Sequence, residues 1–188
     1  MKQIGIILLF LPIGLLAQNK NTSKPGWRAI SSIGSVAGES ATKPVFQLSG
    51  GIVYGRYFTG IGVGFDMYQF NSCPVFVDWR MSFGKKRIGF FYANGGYNFP
   101  ANYRDENEFG KTKDQLKAGF YMDAGMGYRI PIGGLHRLSF SAGYSLKNMG
   151  QLKTFVYTCI TRPCPDDIHD YKYTFERIIA KMSWELGK

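Results

Sequence analysis

From Trp27 onward, apolar and polar residues alternate with period two along most of the chain. Strand side chains point to opposite faces in turn, so this alternation predicts β-strands with one oily face and one polar face. The cleanest run is 59–68. Ile61, Val63, Phe65 and Met67 share one face there, and Gly60, Gly62, Gly64 and Asp66 share the other. Residues 75–83 set Val75, Val77, Trp79, Met81 and Phe83 against Asp78, Arg80 and Ser82. Residues 116–130 set Ala118, Phe120, Met122, Ala124, Met126 and Tyr128 against Lys117, Tyr121, Asp123 and Arg129. Residues 138–147 place Leu138, Phe140, Ala142, Tyr144 and Leu146 opposite a Ser, Gly and Lys face, and 177–186 place Ile178, Ala180, Met182, Trp184 and Leu186 opposite Arg177, Lys181, Ser183 and Glu185. Alternation is less regular over 45–56 and 87–98, and least regular over 27–38.

That makes eight predicted strands, each long enough to cross a bilayer, which takes about 9–11 residues. Short connections fall near 56–57, at 84–86 and at 131–136. Long ones fall at 38–43, 69–74, 100–115 and 148–171. Short turns at one end and long loops at the other fit an antiparallel up-and-down barrel crossing an outer membrane. No apolar run reaches the length of a membrane helix.

Alternation alone leaves open which face points inward. A soluble barrel hides the apolar face, and a membrane barrel inverts the order. Glycine is concentrated on the charged face, at Gly60, Gly62, Gly64, Gly125 and Gly127, where an eight-strand interior has little room. The charged face mixes signs, as a sealed low-dielectric interior requires. Its expected lumen network is Asp66, Asp78, Arg80, Asp123, Arg129, Arg137, Arg177, Lys181 and Glu185, with Asp66 and Asp78 both offered to Arg80. Trp27, Phe83, Tyr128 and Trp184 fall at the short-turn ends, the place of an interfacial aromatic belt. These features favour the inverted order.

Composition agrees. The 188 residues are 45% hydrophobic and 16% aromatic, with a formal net charge of +10. Lys2 precedes an apolar stretch ending at Ala17, followed by Gln18 and Asn19. This reads as a cleaved secretory signal over 1–18, with the barrel domain over 19–188. No Cys stands there to carry a lipid anchor.

The ending Ala17-Gln18, the strand 60–68, the segments 91–97 and 125–129, and the closing strand 177–186 together resemble the small outer-membrane β-barrel proteins of Gram-negative bacteria. That group is similar to the barrel domain of outer membrane protein A and to porin-family barrel domains. The resemblance implies export to the outer membrane and insertion by the barrel-assembly machinery. It implies no substrate.

Chemical motifs mostly fail. Gly110-Lys111-Thr112 ends like a phosphate loop, but Asp105 stands where its first glycine belongs. Gly60, Gly62 and Gly64 lie on a strand that continues where a dinucleotide fold opens a helix. His136 and Ser139 have opposite parity and so lie on different faces, which disfavours a Ser-His pair. No catalysis, cofactor or metal site is expected, and Asp166, Asp167, His169 and Asp170 read as a solvated acidic loop. Cys159 and Cys164 sit close together in one long loop, and an oxidising compartment favours a bridge between them, although Cys73 offers another pairing. Lys85, Lys86, Arg87, Lys111, Lys113, Lys153 and Arg162 scatter positive charge over loops and turns. Outer-membrane lipids and anionic lipopolysaccharide are the expected contacts for charge above the membrane, and nucleic acid is not expected.

The reading is thus an all-β, eight-stranded barrel with a filled lumen, acting as a structural or surface-interaction protein through its long loops. The rivals are a narrow ion or small-solute pore along the charged lumen, and a secreted soluble barrel around a lipophilic ligand.

Overall fold

The computed structural model describes residues 24–101, 112–155 and 167–187. The signal segment, Cys159, Cys164, Lys111, Arg162 and Asp166 lie outside the described residues. The strands are β1 (Gly26–Ala37), β2 (Thr42–Tyr54), β3 (Tyr57–Asp66), β4 (Ser72–Phe83), β5 (Gly89–Pro100), β6 (Thr112–Lys117), β7 (Gly119–Gly133), β8 (His136–Phe155) and β9 (Asp167–Gly187). Every pairing is antiparallel, and β1 pairs with both β2 and β9, which closes the ring. β6 and β7 both pair with β8 and form one broken stave. The barrel therefore has eight staves.

The ring is closed at one end by short turns. Tyr54 pairs with Tyr57 across Gly55-Arg56, and Gly55 takes φ +61°, as the first central position of a II′ hairpin turn requires. Both ends of the described barrel, β1 and β9, meet at this turn end, where Arg28 pairs with Gly187.

Which face points inward is settled by burial. Ile61, Val63, Trp79 and Phe120 are exposed on the outside, whereas Asp66, Arg80 and Asp123 are buried inside. Among the described residues, thirty large apolar side chains are exposed and eleven are buried, a ratio opposite to that of a water-soluble barrel. The small residues inside are seats for rings. A Cβ on Gly62 would lie 2.5 Å from the Phe76 ring, and one on Gly127 would strike Phe90. Trp27, Phe83, Tyr128 and Trp184 are all exposed at the turn end.

Two expectations from the sequence are corrected. First, 116–130 is not one uninterrupted strand. Tyr121 pairs with Lys147 and Lys117 with Gly150, so the broken stave has one residue more than β8 over this stretch. The extra residue, at Ala118, acts as a bulge and flips the side-chain parity above it. Lys117 therefore lies outside, not in the charged interior, and meets Asp170 at 3.3 Å.

Second, 148–171 is not a long loop. β8 continues to Phe155 and β9 begins at Asp167, paired through Phe155↔Asp167. This ribbon rises past Ala37, the last β1 residue to pair with β9, at Ile178. The reason it escapes an apolar-versus-charged reading is physical. Within β9, Arg177, Ile179 and Lys181 point inward and Ile178 and Met182 outward. Above Arg177 the parity continues but its chemistry inverts. Phe175, Tyr173 and Tyr171 take the inward side, and Glu176, Thr174 and Lys172 the outward one. Outside a bilayer the outer face meets water, so polar residues belong there. Asp167 and Asp170 thus belong to a strand and not to a loop, and no metal-binding group of residues forms among those described.

Candidate functional site

Among the described residues, the lumen gathers the buried charged side chains, which form three clusters. At the rim end, Asp66 accepts from Arg177 Nη1 at 2.6 Å and lies 3.7 Å from Lys147 Nζ. Arg177 Nη2 also donates to Ser145 Oγ at 2.9 Å. Lys147, fully buried, donates to the carbonyls of Tyr68 at 3.0 Å and Phe70 at 2.8 Å. The Tyr68 amide in turn donates to Asp66 Oδ1 at 2.8 Å. These bonds tie down the β3–β4 connection, in which Gln69 holds φ +58°. They hold Tyr68 in the mouth, packed with Val36, Val45 and Ile179 and backed by Ala41 and Phe175. The mouth is thus stoppered by an apolar plug, clamped by a buried lysine.

In the middle, Asp123 accepts from Lys181 Nζ at 2.5 Å and from the Tyr92 hydroxyl at 2.9 Å. Lys181 also donates to Gln47 Oε1 at 3.2 Å, and Gln47 Nε2 donates to the Tyr121 hydroxyl at 2.7 Å. Lys181 lies 4.1 Å from the Tyr92 ring centroid, so its ammonium is flanked by carboxylate and π-face together.

At the turn end, Arg80 donates to Asp78 from Nε at 3.0 Å and from Nη2 at 2.9 Å. Its Nη1 reaches Glu185 at 3.5 Å. Glu185 is fully buried and also takes Arg129 Nε at 2.7 Å, Arg28 Nη1 at 3.3 Å and Ser139 Oγ at 3.0 Å. Phe90 lies beneath both Arg129, at 4.8 Å, and Arg80, at 5.6 Å. A charge buried this deeply is tolerable only when paired and hydrogen-bonded.

The structure brings eight of the nine sequence-derived lumen residues into these clusters. It divides them differently, however. Arg80 holds Asp78, while Asp66 belongs to Arg177 and Lys147. Arg137 is half-buried at the mouth of the turn end and donates to the Gly187 carbonyl at 3.1 Å. Arg28 was missed because 27–38 alternates poorly, with Ser31 and Ser35 on the outer face. Lys147 was available as the last inward residue of a clear strand, but its role as a clamp depends on a turn reached across the lumen. Tyr121 was placed on the charged face by its parity, but, like Tyr92 and Gln47, it carries no charge, and nothing in the sequence pointed to its partner.

Among the described residues, no nucleophile in the lumen is hydrogen-bonded to a base of a catalytic pair. Ser139 serves Glu185, and His136 sits exposed at the turn end, its Nδ1 accepting from Trp184 Nε1 at 3.2 Å. Cys73 has a free thiol, half-buried on the outward side of β4 near the rim.

No family model matches the chain, and no curated protein matches it. Solved structures do. The outer membrane protein AlkL, determined by solid-state NMR in DMPC lipid bilayers, aligns with a TM-score of 0.55 at 11% identity, over 92% of this chain and 94% of that one. Neisserial surface protein A aligns with a TM-score of 0.43 at 10% identity, over 87% of this chain and 97% of that one. The first likeness, the closed ring of eight staves and the inverted polarity agree: the chain has the fold of the small outer-membrane β-barrels.

Proposed function

We propose that this protein is an integral outer-membrane barrel with a sealed lumen, whose role is structural or in surface interaction through the ribbon and loops at its rim end. The observation that carries this reading is the occupancy of the lumen. Three ion-pair clusters, with Phe58, Phe76, Phe90 and Tyr121 buried between them, lie beneath the Tyr68 plug. Wide diffusion pores take about 16 strands, twice the number of staves here. The interior is used to hold the cylinder together, and the chemistry offered to the outside is at the rim. There, β8 and β9, with β6 paired along β8, rise past the end of β1 and present Tyr171, Lys172 and Lys153.

Export through the 1–18 signal, insertion by the barrel-assembly machinery and contact with lipopolysaccharide belong to the same reading. Lys153 is on the rim side and suits an anionic outer leaflet. Lys85, Lys86 and Arg87 lie in the β4–β5 turn at the opposite end and do not. No catalysis is part of this reading.

Planar-bilayer recording tests it. The purified, folded protein is expected to give no steady conductance above the bare bilayer. Regular unitary currents from the wild type would favour the pore alternative. Recovery of the protein in the soluble fraction without detergent would favour a secreted barrel.

A further inference from the structure

Positive charge exceeds negative at both ends of the lumen: at the rim Arg177 and Lys147 share Asp66, with Arg177 Nε left unpaired but Lys147 taken up by two backbone carbonyls, while the turn end gathers more guanidiniums. Arg28, Arg80 and Arg129 are buried there against two carboxylates, Asp78 and Glu185. Arg137 adds a fourth guanidinium at the mouth. Asp78 is taken up twice over by Arg80 and once by Ser49 Oγ at 2.7 Å. Glu185 is then left to serve Arg28 and Arg129 through one oxygen, Oε2, with Arg80 and Ser139 on the other. One carboxylate oxygen cannot satisfy two forked guanidiniums, each of which has five N–H donors. The unsatisfied donors are visible. Arg28 Nε and Arg129 Nη2 are buried and make no hydrogen bond.

Both orphaned nitrogens belong to the two guanidiniums that converge on Glu185 Oε2. An uncompensated positive charge at low dielectric is costly, and like charges held together add to that cost. A small anion supplies what is missing: negative charge, acceptor capacity in several directions and little bulk. Guanidinium forks suit such ligands. Of the four guanidiniums, Arg137 alone is half-buried and reaches toward solvent at the turn end.

We propose that the turn-end lumen is a binding site for a small inorganic anion, held between Arg28 and Arg129 beside Glu185, with Arg137 at its entrance. The anion is a structural counter-ion that completes the interior charge balance. It does not depend on whether the rim conducts or binds a partner.

The test is thermal unfolding of the folded, detergent-solubilised protein, read by heat-modifiable gel migration. It is run at one ionic strength in sodium gluconate, chloride, bromide and phosphate. Chloride, bromide or phosphate is expected to raise the midpoint saturably over gluconate. A site filled at about a hundred times its dissociation constant raises it by roughly 5–10 °C. In Arg129→Gln the anion-dependent rise should vanish. If that variant does not fold, crystals of the wild type soaked in bromide supply the second readout. An anomalous peak between Arg28 and Arg129 supports the proposal. Equal midpoints in all four salts, or no peak at that position in saturating bromide, overturns it.

Discussion

Replacing Arg80 by leucine probes the idea that the interior is held by mutual neutralisation. Arg80 is 5% exposed, with two nitrogens on Asp78 and a third near Glu185. Its guanidinium also lies 5.9 Å from the Phe58 ring centroid and 5.6 Å from that of Phe90. In Arg80→Leu, Glu185 still has Arg28 and Arg129, so the damage concentrates on Asp78. That carboxylate keeps only the Ser49 hydroxyl. Breaking a buried pair by removing one partner costs about 3–5 kcal/mol, mostly the burden of the charge left behind. For a chain of this size the melting midpoint falls by roughly 6–20 °C. The double variant Arg80→Leu, Asp78→Leu removes that stranded charge and should regain most of the loss, leaving chiefly an unsatisfied Ser49. The assay is urea unfolding of the refolded protein in detergent, fitted for both singles and the double to give a coupling energy. A loss below about 1 kcal/mol in the single, or additive losses in the double, would refute the argument, because a buried charge cannot be both sealed and costless.

The other substitutions separate the two faces. Gly62→Leu drives a side chain into the Phe76 ring and should cost about 1–3 kcal/mol in the same unfolding assay, from overpacking. Gly95→Val, on the outside with open space around its Cβ, should be neutral or stabilising by about 0.5–1 kcal/mol. Ile61→Arg puts a charge on the lipid face at 75% native exposure, and should cost about 2–4 kcal/mol in a bilayer if it lies at mid-depth. Lys117→Ala breaks the pair with Asp170, whose side chains are each 49% exposed; its effect should stay below about 1 kcal/mol and shrink further in salt.

What was legible in the sequence was whatever alternation could express. Six of the eight staves run close to their predicted ranges, and β8 and β9 continue well beyond theirs. Ile61, Val63 and Trp79 separate from Asp66, Asp78 and Arg80 because period two is a rigid consequence of the pleat. Pairing was less legible. Asp66 and Asp78 face the same lumen, but only the register and the lumen's width decide that one meets Arg177 and the other Arg80. A bulge erased the signal at Ala118, since one extra residue reverses every face assignment beyond it. The β8–β9 ribbon was hidden for another reason. A search for oily residues opposite charges finds nothing where both faces approach water, although Tyr171, Tyr173 and Phe175 keep strict alternation with Lys172, Thr174 and Glu176.

That reversal of chemistry along β9 also measures how deep the barrel sits. On its outer face Ile178, Ala180, Met182, Trp184 and Leu186 form an unbroken apolar or small-residue row, and Glu176 is the first charge above them. From Leu186 to Glu176 is about ten residues, or about 34 Å along the strand. At a tilt near 40° this spans about 26 Å of membrane normal, close to the apolar band of about 25 Å typical of such barrels. The rim of hydrocarbon should therefore cross β9 between Glu176 and Ile178. Nitroxide labels on single cysteines placed at Thr174 and Met182, with the native cysteines replaced by serine, test this in reconstituted vesicles. The label at 182 should relax mainly with oxygen, which concentrates in hydrocarbon, and the label at 174 with a water-soluble nickel chelate. High nickel accessibility at 182, equal to that at 174, would place the Met182 side chain in water, and the inverted polarity of the whole cylinder would lose its explanation.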